Sequence, residues 1–233
     1  MILRKSNHSA RRPAVITGVL LLAGLVTGLL SVVPVIDRAD YLVNAPTNEN
    51  QVLTGAFFQL FMVVGYVGIP IGLYPILSKH NKGLALGSVA FGIIAGVFII
   101  MGVIILLLLL TVSHEFAKVG TLNGTYVQTL GGLLREGRDL VNHVATTLAF
   151  VLAMFLFTCI FYQTKIIPRW LSVSGLIGSA LSISASLLFM IRFIGLDTTY
   201  MMLNMPIAFQ QLVLAIWLIT KGFNRAQQDF VSN

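Results

Sequence analysis

The chain has 233 residues, of which 57% are hydrophobic and only 10% charged, 15 basic and 8 acidic, with a formal net charge of +7. A water-soluble domain carries about a quarter of its residues as Asp, Glu, Lys or Arg, so so few charges cannot coat a globule of this length. Apolar residues come instead in blocks of about 20 or more, the length a helix needs to cross about 30 Å of hydrocarbon, which excludes a soluble enzyme, a secreted disulfide scaffold and a disordered chain.

Uninterrupted apolar stretches predict six membrane-spanning helices within a single integral membrane domain, residues 1–233. The first runs over Ala14–Ile36 and follows Arg4, Lys5, Arg11 and Arg12; its apolar core exceeds that of a signal peptide and no small-x-small cleavage site follows before Asp37, so it is expected to remain as a helix. The second, Val52–Leu77, contains Pro70. The third, Leu84–Val112, is long enough to need tilt or to project from the bilayer. An outer loop over residues 113–139 follows, then spans at Leu140–Tyr162, Trp170–Ile191 and Tyr200–Thr220, the last containing Pro206. Trp170, beside Pro168 and Arg169, reads as an interfacial anchor at the start of the fifth span. The two prolines each remove a helical hydrogen bond, and kinks are expected there against protein or a wet cavity.

Orientation follows from the basic residues that flank the spans. Ten of them, at the N-terminus, Lys79, Lys82, Lys165, Arg169, Lys221 and Arg225, fall on one side, and Arg38, Lys118, Arg135, Arg138 and Arg192 fall on the other. Asp229 accompanies the ten, while Asp37, Asp40, Glu49, Glu115, Glu136, Asp139 and Asp197 accompany the five. Both termini are therefore expected in the cytoplasm. The basic charge addresses anionic headgroups rather than nucleic acid, since it lies at segment ends.

Small residues recur every fourth position: Gly24 and Gly28, Gly68 and Gly72, Gly92 and Gly96, Ser174 and Gly178, Ser182 and Ser186. Such faces let backbones approach in lipid. They are expected to pack the bundle; a homo-oligomer seam or a contact with another membrane protein is the alternative use.

No enzyme, cofactor or metal signature emerges. All carboxylates fall in loops or at span ends, and no lysine lies within a span, so a mid-membrane proton relay has no residues to use. His114-Glu115 begins like a zincin motif, but Lys118 stands where the second histidine belongs. His8, His80, His114 and His143 are scattered, and the single Cys159 lies inside an apolar block. Asn123-Gly124-Thr125 matches a glycosylation sequon, which matters only in a eukaryotic secretory route.

One polar constellation stands apart. Arg135, Glu136, Arg138, Asp139, Asn142 and His143 precede and enter the fourth span. On a helix Arg135 and Asp139, Arg138 and Asn142, and Asp139 and His143 are four apart and within reach. Two readings compete. In one the cluster is a self-satisfied cap, with Asp139 beside the helix N-terminus. In the other it joins Gln59 of the second span and Asn204, Gln210 and Gln211 of the sixth around an outward-facing cavity, with Glu49, Asn50 and Gln51 at its mouth. Tyr126, Leu130, Leu133, Leu134 and Val141 follow helical spacing opposite Arg135 and Arg138, as an interfacial lid would. The candidate ligand-binding residues are thus Gln59, Arg138, Asp139, Asn142, His143, Asn204 and Gln211. A small polar or amphipathic solute would bind or pass there; the competing role is non-enzymatic signalling, stress response or assembly through helix contacts in the bilayer.

Several segments in order, Asn48-Glu49-Asn50-Gln51, Tyr74-Pro75-Ile76-Leu77, Arg138-Asp139 with His143, Pro168 to Ser172, Gly175 to Gly178, Ala215 to Leu218 and Lys221-Gly222-Phe223, resemble the bacterial DUF4386 family of multi-pass membrane proteins. The resemblance covers nearly the whole chain. It implies a bacterial plasma membrane protein and assigns no reaction. It also implies glutamates where Gln59, Ala95 and Gln211 stand and an arginine in place of Gly92, so both signs of an intramembrane charge cluster are absent together here, as charge pairing requires.

Overall fold

A computed structural model describes residues 3–119 and 124–224, with side chains from residue 11 onward and excluding that of Val119. Arg4, Lys5 and His8 lack described side chains, and Asn123 of the sequon, Arg225 and Asp229 lie outside the described residues. Among those described the chain is helical with no strands, and six helical runs are long and apolar enough to cross a membrane.

The first helix, α1, covers Leu3–Leu30 and passes through Pro13. It stops six residues short of the expected Ile36. Val33 precedes a proline and is driven out of the helical region (φ −121°, ψ 78°), and Pro34 opens a new short helix, α2 (Pro34–Asp37). After α3 (Tyr41–Asn44) and a single 3₁₀ turn (Pro46–Asn48), the second span is α4, Glu49–Leu77. It runs unbroken through Pro70 and also Pro75. Pro70 cannot donate to the carbonyl of Tyr66, and α5 closes on that freed group: a Cβ on Gly92 would lie 2.9 Å from Tyr66 O and 2.6 Å from Pro70 Cγ. An arginine has no room there without parting the two helices.

The third span, α5, is Lys82–Val119, 38 residues, or about 57 Å at 1.5 Å per residue. It outreaches the hydrocarbon and stands beyond it at the end where α2 and α3 lie. The expected loop over 113–139 is largely helix: α5 continues to Val119, and α6 covers Thr125–Leu140. From α6 the chain passes without a break through a π-helical segment, Val141–Thr146, into α7, Thr147–Thr164. Lys165, in the left-handed region (φ 54°), ends α7, and α8 starts directly after Pro168, at Arg169–Met190. Asp197 caps α9, Thr198–Thr220, by accepting from the backbone N–H groups of Thr199 (2.9 Å) and Tyr200 (3.2 Å).

Because the spans alternate in direction, Lys79, Lys82, Lys165, Arg169 and Lys221 collect at one end of the bundle, called here the basic end. The seven described carboxylates collect at the other, the acidic end. Two cores follow this division. Toward the basic end Leu73, Leu77, Phe157, Phe161, Ile167, Leu171, Leu214 and Leu218 are nearly inaccessible. At the acidic end Ile36, Tyr41 and Leu42 of the short helices pack on Val103, Leu106, Leu109 and Phe116 of the projecting part of α5.

Most of the small-residue faces serve this packing. A Cβ on Gly18 would meet Ala215 O at 2.8 Å, on Gly96 the Val67 side chain at 2.7 Å, and on Gly178 the Ile207 backbone at 3.0 Å. Gly24 and Gly28 behave differently. A Cβ on Gly24 would touch nothing within 4 Å, and on Gly28 only the end of Met62 at 3.9 Å.

Candidate functional site

The π-helical segment shapes the acidic end. A π turn carries one residue more than an α turn and displaces carbonyls from the regular ladder. Here the displaced groups are met from outside: His143 O accepts from Ser186 Oγ of α8 (2.8 Å) and from the Tyr200 hydroxyl of α9 (3.2 Å), and Asn142 O accepts from Thr147 Oγ1 (3.1 Å). In hydrocarbon an unmatched backbone carbonyl costs several kcal/mol, so the two hydroxyls hold both the segment and the helices around it. Gly102 of α5 makes space beside it, since any side chain there would overlap the Asn142 amide. The imidazole of His143 lies edge-on to the rings of Tyr200 (5.3 Å between centroids) and Phe189 (6.2 Å).

One turn earlier Arg138 is buried, 6% exposed, with its Nη1 3.3 Å from Asp37 Oδ1 and 3.5 Å from Asp139 Oδ1. Its Nε–H is buried without an acceptor. Arg135 donates to the carbonyls of Arg38 (3.1 Å) and Asp37 and lies over the Tyr41 ring, 5.3 Å from its centroid. Burial pushes the Tyr41 phenol above its ordinary pKa despite that neighbouring guanidinium. Arg192 pairs with Glu136 at the surface.

These contacts correct the pairing expected from helical spacing. The Arg138 guanidinium turns to its neighbour Asp139 and to Asp37, more than a hundred residues away in sequence, rather than to Asn142. The cap reading is corrected in its geometry. The helix begins at Thr125, so Asp139 stands in mid-run and has no helix N-terminus beside it.

A cavity of about 620 Å³ opens beside Arg138. Gly28 of α1 and Ser31 just past its end, Asp37 of α2, Gln59, Met62 and Tyr66 of α4, Ile99 of α5, then Arg135, Arg138, Asp139, Asn142, His143, Thr146 and Thr147 along the run from α6 to α7, Leu196, and Met201 of α9 surround it. Five of the seven residues expected at a site, Gln59, Arg138, Asp139, Asn142 and His143, are thus brought together. Gln59 Nε2 reaches only a long contact with Ser31 O (3.4 Å), and Thr146 Oγ1 on the same wall is buried without a partner.

The other two residues line a second space, of about 740 Å³, between α1, α4, α7 and α9. Asn204 accepts from Ser182 Oγ and donates to Tyr200 O (2.9 Å), while Gln211 Nε2 lies 3.0 Å from the sulfur of Met154. Gln210 faces the other way, toward Leu171 O (3.4 Å). Glu49 is drawn off to His114 at 3.5 Å, and neither it nor Asn50 or Gln51 lines the mouth.

Sequence reasoning passed over Asp37, Thr146, Tyr200 and the bonding role of Ser182 and Ser186. The two serines were visible as small residues four apart, and only their acceptors across the bundle reveal them as donors. Asp37 and Thr146 carry no local signal.

A family model described as a domain of unknown function (DUF4386) matches residues 16–222. No curated protein and no solved structure matches the chain.

Proposed function

The chain belongs to the DUF4386 family, and we propose that it is a non-catalytic membrane protein that binds a small polar or amphipathic solute in the cavity at its acidic end. In this reading it lies in the bacterial plasma membrane with both termini in the cytoplasm and the cavity facing outward. The orientation is supported by the excess of Lys and Arg at the basic end.

The observation that carries the binding reading is Arg138. A guanidinium withdrawn from water retains all its donors only when each finds an acceptor, and a buried donor without one costs about 1–3 kcal/mol. Arg138 leaves its Nε–H without an acceptor on the wall of a cavity shared with Asn142, His143, Gln59 and Thr146. A pre-formed hollow in which a few polar groups converge among apolar walls is the usual form of a small-molecule site.

The test is purification from the native membrane into nanodiscs, with native mass spectrometry and thermal melting of the wild type and of Arg138→Gln and His143→Gln. A stoichiometric small molecule, lost in the variants, is expected. Saturation at 100 times Kd stabilises a fold by about 2.7 kcal/mol, so the wild type melts higher when loaded and the variants do not. Bulk lipid alone, with no variant-dependent difference, overturns the reading.

A second role, in signalling or assembly, draws support from α6, which turns Tyr126 (78% exposed) and Leu133 (65%) away from the bundle. Crosslinking to one membrane partner that is lost in Tyr126→Ser/Leu133→Ser would favour it; unchanged association would leave α6 as a helix lying in the headgroups.

A further inference from the structure

Resting on that binding site, we propose that its occupant is a membrane lipid with an uncharged hydrogen-bonding head, whose single tail lies in the crevice between α1 and α9.

The two hollows are not separate. Gly28, Met62, Tyr66 and Thr147 border both the polar cavity and the larger space beneath it. Apart from Thr147, Ser182, Asn204 and Gln211, that lower space is lined by hydrocarbon, including Leu21, Leu25, Ile69, Phe150 and Ile207, and Asn204 and Gln211 already have partners in the protein. Its outer lips are Leu29 on α1 and Met205 and Phe209 on α9, exposed by 78%, 67% and 66%. It therefore opens sideways, where the bilayer's acyl chains would lie. A purely polar solute would leave this continuation without a partner, whereas an amphiphile fills both parts.

The crevice follows from the glycines of α1. At Gly18 the backbones of α1 and α9 meet against Ala215 and Ile219, and one to three turns later Gly24 and Gly28 leave open space where side chains would close the gap. The wall from Leu21 to Gly28 runs about 10 Å along the helix axis, most of the roughly 15 Å depth of one leaflet. The depth suits a tail that enters from the same leaflet as its head.

The head is argued from charge. Arg135 and Arg138 face the cavity together with Asp37 and Asp139, two of each sign, and Arg138 is already flanked by both carboxylates. An added anion or cation would meet as much like charge as opposite, while a carbonyl or hydroxyl oxygen meets the remaining donors of Arg138, Asn142 and Thr146. A monoacylglycerol has the required form.

The experiment uses the full chain in nanodiscs with a monoacylglycerol carrying a photoreactive diazirine in its tail, and with glycerol and the matching fatty acid at neutral pH as competitors. Expected labelling falls on peptides from residues 14–30 and 198–212. Unlabelled monoacylglycerol competes, and the fatty acid competes about tenfold less well. Gly24→Leu, whose Cβ meets nothing within 4 Å and whose side chain enters the crevice, reduces labelling about tenfold, the worth of some two displaced methylenes. Thr146→Val reduces it through the head and leaves the melting temperature of the lipid-free protein within a few degrees.

Three results overturn the proposal. Labelling spread over all lipid-facing helices and indifferent to Gly24→Leu marks bulk lipid. Preferred competition by the fatty acid marks an anion site. A tail-free polar compound that binds in an Arg138-dependent way, with no labelling of the crevice, removes the lipid while leaving the solute-binding reading standing. Failure of every ligand, polar or lipid, to bind removes both.

Discussion

The two ends of the bundle are made by the same helices and close in different ways. At the basic end Phe157, Phe161, Leu171 and Leu218 interdigitate with almost no exposure, and Phe223 folds back onto Phe161 with 6.2 Å between ring centroids. At the acidic end α1 stops early, the short helices pack on the part of α5 that runs past the others, and the cavity side is braced by single polar contacts: Arg138 to Asp37, Arg135 to two carbonyls, Ser186 and Tyr200 to His143 O. Apolar side chains in lipid gain by contact wherever they can reach it, so they draw helices together. Hydrogen-bonded groups fix a separation instead, because their partners must sit at defined distances. The difference teaches that the cavity is a consequence of how one end is braced, and that its stability and that of the core can be altered independently.

The comparison is broken most strongly at the closed end. Phe161→Ala is expected to cost about 3 kcal/mol, since in lipid the packing contacts are what is lost; thermal melting should fall while ligand binding by the folded fraction is unchanged. Next comes a pair on one helix. Gly18→Leu drives a side chain into the Ala215 and Ile219 backbone and should cost about 2.5 kcal/mol, whereas Gly24→Leu, pointing into the crevice, should stay within about 0.5 kcal/mol. Equal effects in the two would deny that α1 and α9 diverge. Arg138→Ala is expected to cost about 2 kcal/mol through the lost charged hydrogen bonds, and Asp37→Asn, which keeps the shape but removes one charge, should cost less. Ser186→Ala is the mildest, about 1 kcal/mol. Its readout is faster hydrogen exchange of the amides in 141–147, and exchange confined elsewhere would separate the serine from the π segment.

Reading along the chain finds the six long apolar helices but not all of their ends: α1 runs from Leu3 only to Leu30, α5 continues to Val119, and the run that contains the fourth span begins at Thr125. Hydrocarbon thickness sets a length that apolar runs must meet. The same property hides the break at Ser31 to Val33: Val32, Val33, Val35 and Ile36 are as apolar as the helix before them, and Pro34 is the one local signal against continuing it. The loop at 113–139 was misjudged for the opposite reason. Polar residues suggested a connection, although the helical spacing of Tyr126, Leu130, Leu133 and Leu134 was already legible, and α6 is the helix that spacing describes.

The sequence by itself determined an all-helical membrane bundle, the segregation of basic and acidic residues to opposite ends, and the cluster around Arg138. Each depends on composition or on periodicity along one helix, which the order of residues states directly. Only the tertiary structure decided that Arg138 turns to Asp37, that Asn204 and Gln211 face a second, apolar space, and that Gly24 and Gly28 widen a crevice where other glycines close one. Those outcomes depend on which faces of distant segments meet and how far apart their backbones come to rest. A hydrogen bond or a void is a property of that distance, and no residue of the chain carries it alone.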